Sequence, residues 1–245
     1  MPSITFNAID LSAYGLVLTS PDPSAQLVAE SYQMLAKAYA PESKCTPKTL
    51  ALGVSVVGTS RANAESLLDS IKAVLNRRRD GRLVLSTMSD RYWNARFTGL
   101  FGSWPAASVF EGTLSFMAYD PFAYAVTETN VTHDIDADPT EIALTVLGSA
   151  DAEPVFVFTA GEEWDASLTL LNAVNGMAFT WADAMASGER LTVDCRTWYV
   201  SLEGSAAMTG VGGQFPVLSP GSNLISVAGF GSLGTLRIRY RARYM

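Results

Sequence analysis

A mainly β chain is predicted: an N-terminal β-barrel- or sandwich-like domain with one α-helix, then a second, all-β sandwich domain. Three features predict it. Short runs of alternating apolar residues recur along the chain, turn-forming residues separate many of them, and a single stretch has convincing helical periodicity. The 245 residues give room for one large domain or two of ordinary size. With 48% apolar and only 17% charged residues the chain can bury a sizeable core, which argues against disorder.

The helix is expected within Ser60–Arg79. Leu67, Leu68, Ile71, Val74 and Leu75 fall on one stripe at 3.6 residues per turn. Ser60 or Asn63 can cap its start, Glu65 and Asp69 lie early, and Arg77, Arg78 and Arg79 lie late, as the helix dipole favours. Gly81 is expected to end it in the left-handed conformation.

Strands are expected on either side. Leu50, Leu52, Val54 and Val56 repeat at period two, and Phe110, Leu114, Phe116 and Ala118 keep the same phase. Further β-rich runs are Leu83–Leu85, Ile142–Leu147, Val155–Phe158, Leu168–Leu171, Trp198–Leu202 and Leu224–Val227. Residues 24–40 have helix-like composition but a poor stripe and are assigned to neither class. The polar, acidic, Pro-broken stretch 127–140 reads as a linker, which sets the domains at 1–128 and 129–245.

Charge is unevenly spread. The net charge is −7, and between Arg96 and Arg190 there are 14 Asp and Glu but no Lys or Arg. Such separation suits self-association and argues against a general nucleic-acid binder, and no sequence-specific nucleic-acid partner is expected. No run of 18 apolar residues occurs and the opening MPSITFNAIDLS has no signal-peptide pattern, so neither membrane insertion nor secretion is expected.

Chemistry-bearing residues are scarce, and no enzyme is expected. Cys45 and Cys195 form no disulfide framework, His133 is the sole histidine and sits in an acidic stretch read as loop, and a zinc site has no ligand set. Gly229-Phe-Gly231-Ser-Leu-Gly234 matches a dinucleotide-binding string, but an alternating, strand-like run follows it where that site needs a helix. Asp134, Asp136 and Asp138 begin like a calcium loop but meet Pro139 and Thr145 where Gly and Glu belong. Glu162, Glu163 and Asp165 read as an exposed acidic turn, not a glycosidase pair. No metal, cofactor or catalytic residue is assigned.

The sharpest local pattern ends the chain. In a strand over 235–244, Leu236, Ile238, Tyr240, Ala242 and Tyr244 would share one face, and Arg237, Arg239, Arg241 and Arg243 the other. These four arginines are either a charged edge strand that resists aggregation or an interface that docks on an acidic surface of another copy or a partner.

Several segments together resemble a family. Phe6-x-x-Ile9-Asp10, Tyr14-Gly15-Leu16, Asp90-Arg-Tyr-Trp93, Phe116-Met-Ala-Tyr-Asp120-Pro-Phe-Ala-Tyr124, Gly188–Asp194, Phe215-Pro-Val-Leu-Ser-Pro-Gly-Ser-Asn223-Leu-Ile225 and Arg239–Tyr244 occur in the order of the distal tail (tail hub) proteins of long-tailed, siphovirus-type bacteriophages. The resemblance implies a structural virion protein at the distal end of the tail, assembled in the bacterial host cytoplasm. Its N-terminal domain would build a homohexameric ring around the DNA channel, and its C-terminal domain would be a galectin-like β-sandwich. Implied partners are further copies of itself, the tail tube protein and a tail-tip, tail-associated lysin or baseplate protein; the tape-measure protein is a further candidate. The rival reading is a carbohydrate-binding module for host-surface sugars, with Trp164, Trp181 and Trp198 as stacking platforms; buried core is the more ordinary place for all three.

Overall fold

Period-two alternation becomes antiparallel sheet throughout a computed structural model that describes residues 2–20, 47–76, 80–163, 167–229 and 234–245. The expectations for residues 24–40, Cys45, Arg77–Arg79, Trp164, Asp165 and Phe230–Leu233 lie outside the described residues. The chain divides into two units, the first ending at Val126 and the second spanning Thr127–Tyr244.

The first unit contains β1 (Ile4–Phe6), β2 (Ile9–Asp10), a 3-10 turn (Leu11–Tyr14), β3 (Leu16–Ser20), β4 (Lys48–Val57), α1 (Arg61–Leu75), β5 (Gly81–Leu85), β6 (Arg91–Ala106), β7 (Val109–Ala118) and β8 (Ala123–Ala125). Its strands run in the order β2-β1-β5-β6-β7-β4-β3, with β8 also on β6. Leu50, Leu52, Val54 and Val56 form the buried row of β4, and α1 covers that face with Ala64, Leu68, Ile71 and Leu75.

Ser60 caps α1, its Oγ accepting from Asn63 N at 3.2 Å. The end of the helix corrects the sequence expectation. It stops at Leu75 with Asn76 as cap, and Gly81 opens β5 instead. Gly81 has a tertiary reason to be glycine: a Cβ there would lie 2.4 Å from the Asn7 side chain, which accepts from Arg82 N.

The second unit is a two-sheet sandwich. Its strands are β9 (Thr129–Ile135), β10 (Thr140–Val146), β11 (Val155–Ala160), β12 (Leu168–Asn172), β13 (Met177–Trp181), β14 (Arg190–Asp194), β15 (Tyr199–Leu202), β16 (Ser205–Ala206), β17 (Val211–Gly213), β18 (Gly221–Ala228), β19 (Gly234–Tyr240) and β20 (Arg243–Tyr244). One sheet runs β10-β18-β12-β13-β17, the other β16-β15-β14-β11-β19-β9. Phe156, Phe158, Leu236 and Ile238 of the second sheet and Leu170, Phe179, Trp181 and Ile225 of the first share one core.

Two further expectations change here. The acidic stretch read as linker and loop contains β9, a regular strand paired with β19 from Thr129 to Ile135. His133 lies in that strand, between Val131 and Ile135 on the core side. Its polarity comes from Asn130, Thr132 and Asp134, which take the alternate, exposed positions.

Two buried polar groups generate opposite expectations. Lys48 begins the core row of β4, is 6% exposed and has no hydrogen bond or ion pair among the described residues. Burial holds its pKa below the ordinary 10.5. Lys48→Met is expected to stabilise the chain by about 1 kcal/mol or more in urea melts at neutral pH. The unfolded chain holds this proton more tightly than the native one. Wild-type stability should therefore rise with pH from the depressed native value towards 10.5, and the variant should lack that rise. Asn223, by contrast, is fully bonded: its side chain accepts from Asn172 Nδ2 and Ser219 N and donates to Ser219 O and Gly221 O. Asn223→Ala is expected to lose about 3 kcal/mol in the same melts, because it strands several buried groups at once.

Candidate functional site

In the first unit the open margin of the sheet is the feature that asks for a partner. β5 and β8 pair with β6 only between Arg91 and Ala95. From Arg96 to Ala106 β6 bonds to β7 alone among the described residues, and β3, at the end of the strand order, pairs with β4 as its one strand partner there, with Leu18 N also donating to Pro2 O at 3.4 Å. Beside this part of β6 lies a cleft of about 400 Å³ under α1, lined by Leu68, Leu100, Trp104 and Phe110 together with Glu65, Asp69 and Lys72.

Glycine lets β6 and β7 approach closely beside that cleft. Gly102 and Gly112 pair across β6 and β7, and a Cβ on Gly102 would meet Glu111 O at 2.2 Å and the Phe110 ring at 2.6 Å. Arg61 stacks on the Trp104 wall. Its guanidinium lies 3.5 Å from the centre of the Trp104 ring, and its Nε donates to Glu65 Oε1 at 2.7 Å. Phe101, between the cleft-lining Leu100 and Gly102, takes the opposite face and is 70% exposed.

In the second unit the C-terminal arginines lie on an inner strand. β19 runs between β11 and β9, so the edge-strand reading is overturned. Arg237 and Arg239 project from the outward face of β19, opposite the core side of Leu236 and Ile238. Arg237 Nε donates to Asn130 Oδ1 at 2.7 Å. Arg239 is half-buried; among the described residues its buried Nε has no hydrogen-bond partner and its guanidinium no ion pair. Arg241 follows the end of β19, and Arg243 is engaged elsewhere, pairing with Glu153 at 3.0 Å and donating to Asp151 O at 3.1 Å. The four arginines therefore divide into an outward pair on β19 and two residues beyond it.

Register places other groups beside that pair. Asn130, Arg239, Val155, Asp194 and Tyr199 form one row across the sheet, and Thr132, Arg237, Val157, Thr192 and Ser201 the next. Next to Tyr199 in the first row, Asp194 Oδ1 accepts from Arg196 N at 2.9 Å and Thr197 N at 3.2 Å, closing the turn that carries Trp198. Trp198 is 68% exposed with φ +54°, a left-handed conformation rare for a bulky side chain. Of the three tryptophans singled out, Trp181 is fully buried and donates to Ala207 O, while Trp198 corrects the core expectation.

The remaining candidates do not converge. Glu162 and Glu163 are exposed on a loop, Asp134 lies on β9, and Asp138 Oδ1 accepts from Gly229 N. Cys195 is buried, and burial with the nearby Asp194 and Glu153 carboxylates pushes its thiol far above the ordinary range, which suits a small core residue and not a nucleophile. Sequence reasoning missed Phe101 and Tyr199. Their exposure depends on which side of a sheet is covered, and no local pattern encodes that.

Comparison with known proteins bears on the whole chain. Residues 147–244 match the family model of the siphovirus-type tail component, C-terminal domain. The crystal structure of the SPP1 Dit protein, described as a paradigm of the hub adsorption apparatus in phages infecting Gram-positive bacteria, matches over 100% of both chains with TM-score 0.73 and 14% identity. A chain of the phage p2 baseplate, in its activated conformation with Sr, matches over 97% of this chain and 98% of its own with TM-score 0.41 and 7% identity. No curated protein matches in sequence. The family match and the shared fold bear out the resemblance to distal tail proteins of siphophages and the mainly β fold class.

The geometry at Trp198 yields a direct expectation. Asparagine tolerates the left-handed conformation better than tryptophan, and the exposed ring contributes little burial. Trp198→Asn should leave stability unchanged or raise it by up to about 1 kcal/mol in denaturant melts. A loss greater than that would make the ring a structural element.

Proposed function

With residues 147–244 in the siphovirus-type tail component family and the whole chain folded like a phage hub protein, we propose that it is a structural distal tail protein. It sits at the far end of the virion tail, after assembly in the host cytoplasm. Six copies form a ring that joins the tail tube to the tail tip or baseplate and encloses the path of the DNA. Its partners are other copies, the tube protein and a tail-tip, lysin or baseplate protein, with the tape-measure protein as a further contact. No catalytic step is assigned to it.

The observation that supports the ring is the pair of margins in the first unit, on β3 and β6, that meet no further strand among the described residues. The outer side of β3 and the stretch Arg96–Ala106 of β6 are different surfaces of one sheet, and a contact between unlike surfaces repeats head to tail and closes when the rotation allows. Strand edges supply main-chain hydrogen bonds for such a contact, and Phe101 supplies a large exposed apolar group beside one of them.

Light scattering and negative-stain imaging test the proposal. The expected species is a six-fold ring of six 26.2 kDa chains, or stacked pairs of such rings. A monomer at every concentration, both alone and with the tube protein, would overturn it. Phe101→Asp should melt like the parent within about 0.5 kcal/mol, since the side chain is exposed, yet shift the mass distribution strongly towards monomer.

A further inference from the structure

We propose that Asn175-Gly176, in the turn between β12 and β13, is a modification site at which the chain slowly deamidates itself, and that hydrogen bonds of the second unit hold the reaction back. The inference does not rest on the ring, and either can fail without the other.

The sequence supplies the reactive pair. In this reaction the backbone N of the residue after an asparagine, once a solvent base has taken its proton, attacks the side-chain Cγ. A Cγ–N bond forms, the Cγ–Nδ2 bond breaks and ammonia leaves, which gives a five-membered imide. Water then opens the imide at either carbonyl, to an aspartyl residue or to an isoaspartyl one whose main chain runs through Cγ. Glycine in the following position favours the attack most, because no Cβ shields the N. Of the eight asparagines only Asn175 precedes glycine; the others precede Ala, Arg, Val or Leu.

The fold presents this pair to solvent. Ala173, Val174, Asn175 and Gly176 are all exposed in the connection between the paired Asn172 and Met177. Gly176 has φ +73°, and nothing packs over it: a Cβ there would meet no atom within 4 Å. The one Asp-Gly pair, Asp80-Gly81, is held differently, with Gly81 paired to Ala95 on a strand and Asp80 accepting from Arg96 at 2.9 Å.

Each group that reacts is nevertheless engaged. Gly176 N donates to Asn172 O at 2.8 Å, and this is the proton that must leave first. Asn175 Nδ2, the leaving group, donates to Val217 O at 3.0 Å, while Asn175 Oδ1 accepts from Met177 N at 3.1 Å. Cyclisation in place would take the donor from Asn172 O and one donor from Val217 O, so the turn must open first. Opening of an exposed turn is local and costs far less than global unfolding.

The product matters because of what shares Val217 O. That oxygen also accepts from Asn172 Nδ2 at 2.8 Å, and the same Nδ2 donates to Asn223 Oδ1 at 2.9 Å. An aspartyl carboxylate at position 175 turns an acceptor towards this carbonyl where a donor stood. An isoaspartyl residue adds a backbone carbon between the paired Asn172 and Met177. Either product loosens the turn in a single irreversible step, next to the polar contacts from which β18 starts.

The test follows the full chain in mildly alkaline buffer by peptide mass spectrometry, with hydrogen exchange on the same samples. The amide-to-acid mass shift is expected at position 175 before any other asparagine, and about tenfold or more slower in the folded chain than in urea. Exchange and cyclisation both begin with loss of the Gly176 N–H proton, so folding should slow the two by similar factors. Gly176→Ala, read in urea where the left-handed backbone is irrelevant, should remove most of the shift. The deamidated fraction, separated by its added negative charge, should exchange the Gly176 and Met177 protons severalfold faster than the parent, and Asn175→Asp should reproduce the part due to charge. Equal rates in the folded and urea-unfolded chain would overturn the protection. No shift at position 175 in the folded chain, after the time that Gly176 exchange predicts, would overturn the site. A deamidated fraction that exchanges like the parent would overturn its effect on the turn.

Discussion

Two buried asparagines hold the second unit in register. Asn172, at the end of β12, donates to Asn223 Oδ1 at 2.9 Å and to Val217 O at 2.8 Å, and its own oxygen accepts from Val174 N. Asn223 then satisfies Ser219 and Gly221. Pro216 and Pro220 cannot donate, so the segment leading into β18 has no regular ladder of its own and depends on side chains to satisfy its backbone. Leu218 completes the clamp with reciprocal backbone bonds to Ala152 at 2.8 Å. Because β18 lies between β10 and β12, a slip of one residue would turn Ile225 and Val227 out of the core, and the clamp fixes the position from which the strand starts. The Phe215–Ile225 motif is thus explained by folding, without a ligand.

The parts of the fold legible in sequence are those with local causes. The stripe of α1 and its Ser60 cap follow from spacing and one hydroxyl, and the inner rows of β4 and β7 follow from alternation. The end of α1 was not legible, because Gly81 answers to Asn7, far away in the chain. β9 was hidden by its exposed residues, although Val131, His133 and Ile135 keep period two beneath them. β6 was missed for another reason: irregularities at Phe97/Gly99 and Ser103/Ala106 break its period.

The candidate surfaces show the same division. The alternating arginines were readable in the last strand, but whether that strand lay at an edge was decided by β9 and β11, more than 70 residues earlier. Trp181 and Trp198 are the same residue type with opposite fates. Trp181 ends β13 on its core face, while Trp198 sits one residue before β15 on a turn shaped by Asp194. Composition carries no information on that difference; strand phase and turn geometry do.

How each unit treats its strand edges explains why assembly is placed in the first. In the second unit β16 and β17, which end their sheets, are only 2 and 3 residues long, and the opposite end strands β9 and β10 carry Asp134 and Glu141. Short and charged edges discourage further strands from adding. Among the described residues β6 has no such protection from Phe97 to Trp104: the stretch is uncharged, flanked by a cleft of mixed lining and marked by an exposed phenylalanine, and the one proline of β6, Pro105, stands near the turn. An isolated chain with that edge invites uncontrolled association, whereas a closed ring uses every such edge once and leaves none free. The β6 margin of the first unit, unpaired among the described residues, is thus the edge that the proposed ring would close.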